Sequence, residues 1–305
     1  MKIKKLIYLF IVLVVSCGMI LGCRGQERPV PNSNGQKDRE KVPKALETMD
    51  EKIHSIITNI EGIEEVTQTK PEDLKPPEEQ TQQGGQQSGG QQSGGQQSGG
   101  QSDQQAMLQQ QPSPEEKQQK KQMEKQAQVL EKWQKSEENV KSLHESWNGY
   151  ESSALKDGAD QEKVNKMETA LNHLTSGIEE KSQDKVLTAA NGVILSLSDF
   201  MGLYKGNADG TLAKIEYMAR QSYMDAKGGD WKAAIQRVDQ KDFLIDTLRQ
   251  VINLKEKQKQ KPLLDKLNLS IEDFKKAIEQ KDLPLVEIKR DIVVKNIETL
   301  KNELK

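Results

Sequence analysis

The side chains able to carry chemistry are few and widely spaced. Histidine occurs only at positions 54, 144 and 173. None of the three stands in a His-x-x-x-His or His-Glu-x-x-His arrangement, the spacing that sets two imidazoles on one helix face for a metal. His144 borders an apolar run through Leu143 and Trp147, and His173 flanks a similar stripe, so both read as boundary residues. A haem would need an axial His or Met pair inside a bundle. Met201, Met218, Met224 and His173 could supply one, but methionine at helical spacing ordinarily packs a core. The neighbouring carboxylates Glu137-Glu138 and Glu179-Glu180 splay apart on a helix and read as solvated charges. No phosphate-cradling glycine loop or Gly-x-Ser-x-Gly elbow is present. The expectation is a non-enzymatic protein with no metal or cofactor.

Two spots remain as candidates for binding. Asn191, in Ala189-Ala190-Asn191-Gly192, falls mid-helix, where Asn and Gly each cost roughly 0.5–1 kcal/mol against Ala. Close helix crossing with one interhelical hydrogen bond accounts for it; a ligand-facing amide is the alternative. Tyr204, Tyr217, Arg220 and Tyr223 cluster near one helix turn, and Tyr and Arg are enriched at binding hot spots. They form the candidate interaction surface.

The elements that must position these groups follow from composition. Of 305 residues, 30% are charged, 33% hydrophobic and 4% aromatic. Apart from Tyr8 and Phe10, every aromatic lies between Trp133 and Phe274, so an aromatic-bearing core belongs to the C-terminal half or so. A net charge of −2 excludes a strongly basic nucleic-acid protein. The two cysteines, Cys17 and Cys23, are too few and too N-terminal for a disulfide scaffold or a cysteine zinc site.

Lys2, Lys4 and Lys5 precede an apolar run from Leu6 to Val15, continued by Met19, Ile20 and Leu21, with Gly22 before Cys23. Charge, length and small-residue flank define a signal peptide over residues 1–22. Ile20-Leu21-Gly22-Cys23 resembles the lipobox of bacterial lipoproteins. That resemblance implies cleavage before Cys23, acylation of its thiol and stable anchoring by two or more acyl chains, each buried CH2 contributing about 0.8 kcal/mol. Val14-Val15-Ser16-Cys17 fits more loosely, because cutting there shortens the apolar run. The implied address is the extracytoplasmic face of the membrane. Lysine outnumbers arginine 38 to 7, a bias that suggests a low-GC Gram-positive host.

Residues 23–45 read as a tether with Pro29, Pro31 and Pro43. Over 46–66, Leu46, Met49, Ile53, Ile56, Ile57, Ile60 and Ile63 mark one face of a short amphipathic helix that docks on the main domain or self-associates. Residues 67–114 include three Gly-Gly-Gln-Gln-Ser repeats from Gly84 to Ser98 and read as a disordered linker.

Residues 115–305 read as an all-α domain. Apolar steps of three and four predict helices over about 115–155, from Asp160 through Ile178, over 184–204, from Asp209 to Ala226, from Asp230 through Ile252, over 263–280 with a possible break at Ser270, and after Asp282. Pro262 and Pro284 fall at helix starts. Three junctions look alike: Lys181 before Asp184, Lys227 before Asp230 and Lys281 before Asp282. They predict helical hairpins, as an antiparallel bundle or a short stack.

From Trp147 to Leu300 the chain resembles uncharacterised helical lipoproteins of clostridia and their relatives. The resemblance rests on Trp147-Asn148-Gly149-Tyr150, Ala189-Ala190-Asn191, Asp199-Phe200 and Gly229-Asp230-Trp231. It implies architecture only. The functional expectation is a lipid-anchored envelope protein that binds a protein partner or scaffolds a complex, without nucleic acid. The alternative is a small-ligand carrier with a pocket near Asn191 and Tyr204.

Overall fold

A computed structural model describes residues 41–68, 114–204, 206, 208–254 and 258–304. All described regular structure is helical: α1 Lys44–Gln68, α2 Pro114–Lys156, α3 Gln161–Glu179, α4 Gln183–Met201, α5 Asp209–Lys227, α6 Trp231–Val238, α7 Lys241–Leu254, a 3-10 turn Gln258–Gln260, α8 Lys261–Gln280 and α9 Leu283–Leu304. No described helix is long and apolar enough to cross a membrane. The molecule is an all-α bundle of packed hairpins.

The segment predicted as a short amphipathic helix is α1, and all seven of its apolar-face residues are buried. They pack with α2, α3 and α4 in one apolar cluster that also holds Trp133, Leu143, Trp147, Tyr150 and Phe200. Trp147, Tyr150 and Phe200 meet edge-on or tilted, with centroids 5.0–6.2 Å apart, a favourable geometry for ring quadrupoles. A second cluster is built from α5 to α9 around Ile215, Leu248, Leu267, Phe274 and Val293. The first seventeen residues or so of α2 are mostly exposed, which is what its Gln, Lys and Glu content demands.

The hairpin turns share one mechanism. At all three look-alike junctions a single residue takes left-handed backbone: Lys181 (φ 50°), Gly229 (φ 84°) and Lys281 (φ 57°). The following N–H reaches back to a carbonyl five residues earlier: Ser182 to Gly177 at 3.0 Å, Asp230 to Asp225 at 2.8 Å and Asp282 to Ala277 at 3.4 Å. This closure satisfies carbonyls that the ending helix leaves open. The side chains of Asp230 and Asp282 then accept from Ala233 and Leu285 backbone N–H groups and start the next helix. At the first junction Ser182, not Asp184, is the N-cap residue, and Asp184 sits inside the first turn. Lysine pays a Cβ clash in this conformation that glycine avoids. Lys281→Gly is therefore expected to raise stability by about 1 kcal/mol, read as a higher urea midpoint at unchanged slope.

Three predicted elements differ from the structure. The helix expected to run from Asp230 through Ile252 breaks after Val238. The ends flanking the break are tied to α8, Asp239 to Lys275 at 2.7 Å and Lys241 to Glu272 at 2.6 Å. The apolar residues keep helical phase across the break, so periodicity alone runs straight through it. No break occurs at Ser270, whose hydroxyl donates to Leu267 O at 2.7 Å within α8. The helix expected to reach residue 204 ends at Met201. Gly210 allows the turn that follows to close tightly: a Cβ there would lie 2.8 Å from Ser198 O.

Candidate functional site

Two features could serve binding: a groove on the α3–α4 hairpin and a charged seam under α1 that ends in a cavity. The groove exists because the facing residues are small. Gly177, Ala170, Ala189 and Gly192 let the two helices approach closely; a Cβ on Gly192 would sit 3.7 Å from Ala170 Cβ. Their outer faces leave an open channel of about 900 Å3. Its rims carry both signs of charge, with Glu162 and Lys166 paired at 2.7 Å at one end and Glu180 with Lys185 at the other. His173, Thr169 and Thr188 line it.

The seam joins residues from α1, α5 and α9. α1 presents its apolar face to α2 and α4, and a polar face to α5 and α9. Along that face runs a chain of alternating charges. Lys301 of α9 pairs with Asp50, and Asp50 lies 3.7 Å from His54 Nδ1. His54 Nε2 donates to Glu216 of α5 at 2.8 Å, and Glu216 also accepts from Arg220 Nε at 2.8 Å. Arg220 reaches back to Glu61 of α1 at 3.1 Å, and Glu61 is 3.7 Å from Arg290 of α9. Arg290 lies 4.3 Å from the centre of the Tyr223 ring, whose hydroxyl donates to Glu287 at 3.1 Å.

Burial makes these charges interdependent. Burial alone would lower the His54 pKa, but the Glu216 carboxylate, with help from Asp50, raises it to about 9. Burial pushes Glu216 the other way, yet His54 and Arg220 hold it well below the usual carboxylate range. Tyr223 is pushed up to about 12, first by burial and then by Glu287. At neutral pH the seam is a set of charged, mutually compensating groups. Sequence offered one signal for it: Glu216 and Arg220, a turn apart, border the apolar stripe of α5.

At one end of the seam a cavity of about 360 Å3 opens between α1, α4, α5 and α9. Glu61, Arg220, Tyr223 and Arg290 line it together with apolar Ile57, Leu187 and Met224; Lys227 and Asp184 stand at its edge, 3.4 Å apart.

The four residues expected to share an interaction surface are separated. Tyr204 is buried beside the aromatic cluster; its hydroxyl meets Tyr150 at 3.0 Å and donates to Asp157. Tyr217 is half-buried and faces Arg237, 5.8 Å from the ring centre. Arg220 and Tyr223 alone meet at the cavity. Asn191 Nδ2 donates to Gln221 at 3.1 Å and Tyr217 O at 3.4 Å, tying α4 to α5. It lines neither the groove nor the cavity. His144 meets Thr175 at 2.9 Å. Cys17 and Cys23 lie outside the described residues. Among the described residues, no three His, Cys, Asp or Glu side chains are grouped to hold a metal ion.

No protein-family profile, curated protein or solved structure matches this chain.

Proposed function

We propose that this chain is a lipid-anchored extracytoplasmic protein without catalytic activity, whose helical bundle binds a protein partner of the cell envelope along the α3–α4 groove. The groove carries this reading. Its floor of Ala170, Gly177, Ala189 and Gly192 permits close backbone approach, and its length matches two helices of nineteen residues each. An apolar channel with charged rims is the shape that accepts an amphipathic helix. The anchor reading rests on Ile20-Leu21-Gly22-Cys23 and the basic and apolar run before it.

A photo-crosslinking residue placed at Thr169 or Thr188 in membranes of the native host is expected to capture one discrete partner, and the same residue at Lys295 on the opposite hairpin is not. Equal capture at all three positions, or none in the groove, ends the partner reading. Separately, Cys23→Ser is expected to move the protein from the membrane to the soluble fraction, since no acyl chain can be attached. Retention of the variant in membranes after a carbonate wash rejects the anchor.

A further inference from the structure

We infer that the cavity between α1, α4, α5 and α9 is a binding site for a small organic carboxylate monoanion, held between Arg220 and Arg290. The two guanidinium groups are nine-tenths buried and converge on one oxygen, Glu61 Oε1, at 3.1 and 3.7 Å. Arg220 donates through Nε to Glu216 and through one terminal nitrogen to Glu61. Arg290 engages Asp291 through Nε and one terminal nitrogen. Each keeps a second terminal nitrogen with no hydrogen bond among the described residues, and both side chains line the cavity. Each guanidinium carries five donors in a fork that suits a planar carboxylate.

The acids around the two guanidinium groups differ in their exposure. Glu216, buried behind the cavity wall, is shared between His54 and Arg220. Asp291 and Glu287, the other acids near Arg290, are 61% and 47% exposed and face water. Asp184 at the mouth is 84% exposed and paired with Lys227. Inside, Arg220 and Arg290 both face Glu61, and a ligand carboxylate takes the terminal nitrogens that Glu216, Glu61 and Asp291 leave open. At about 360 Å3 the space is at the small end of ligand sites, which run about 300–1,000 Å3. It suits a short acid rather than a nucleotide or peptide. Ile57, Leu187 and Met224 give an apolar wall for the ligand's body, which an inorganic phosphate would leave unused. Glu61, one-third exposed on α1, acts as the internal competitor for the same donors.

The test uses the full chain and butyrate as probe, observed through broadening of the butyrate methyl signal in NMR. Broadening is expected on adding protein, with displacement by acetate and not by equimolar phosphate. Arg290→Gln is expected to weaken binding about tenfold, the loss of one charge-assisted contact. Glu61→Gln is expected to tighten it, because the competitor for the guanidinium groups is gone. Circular dichroism checks that Arg290→Gln folds, and Met224→Trp provides a second variant that fills the space without touching the charges. No broadening, binding undiminished by both Arg290→Gln and Met224→Trp, weaker binding in Glu61→Gln, or equal displacement by phosphate overturns the assignment.

Discussion

Replacing Glu216 with glutamine is expected to cost about 3–5 kcal/mol of stability at neutral pH, the range for removing one partner of a buried ion pair. The side chain keeps its shape, so packing changes little; what is lost is the charge between His54 and Arg220. Arg220 retains Glu61, but His54 retains only Asp50. The accompanying pH dependence identifies the cause. His54 has a folded pKa raised from 6.5 to about 9. Its contribution is fully present below about pH 6.5 and disappears as pH rises through 9. Two and a half units correspond to about 3 kcal/mol. Urea unfolding from pH 6 to pH 10 is expected to show that decline in the parent and a much flatter line in Glu216→Gln. Parallel profiles for the two proteins would mean that Glu216 does not set the charge of His54. Replacing the whole triad by His54→Leu, Glu216→Leu and Arg220→Met is expected to recover most of the lost stability, because no charge is then left without a partner.

The larger effect belongs to α1. Ile53 and Ile60 are both completely buried, and isoleucine-to-alanine changes in a core cost about 2–5 kcal/mol each. Two turns apart, they are distant enough to add, giving about 4–10 kcal/mol for Ile53→Ala with Ile60→Ala. That approaches the entire stability of an ordinary domain. The molecule as a whole is expected to melt earlier in one transition, because α1 packs on α2 and α4 and is ion-paired to α5 and α9. A separate early transition confined to α1, with the remaining helices melting at the parent temperature, would show that α1 is an accessory and not a shared wall.

Between them, these two experiments probe the step from helices to bundle, where the amino-acid order is least informative. Most of the helices could be read from local rules, the break between α6 and α7 being the exception. Asp160 caps α3 through the Lys163 N–H, Pro262 sits in the first turn of α8, and the apolar stripes land on core faces from Leu46 to Leu300. Helical spacing and capping involve residues within four or five positions of one another, and such interactions are written in the chain's local order.

What escaped that reading joins residues far apart. His54 finds Glu216 across 162 positions and Asp50 finds Lys301 across 251. Nothing local distinguishes a solvated glutamate from one buried against an arginine. Tyr204, Tyr217, Arg220 and Tyr223 are neighbours in sequence, yet Tyr204 lies beyond the end of α4 and the three on α5 meet different partners. The amino-acid order alone thus specified the all-helical class, most of the helix starts and hairpin turns, and the apolar faces. Only the tertiary packing decided that α1 lies across both halves, which charges are removed from water, and where the two guanidinium groups meet, because burial and long-range pairing depend on what lies opposite each face.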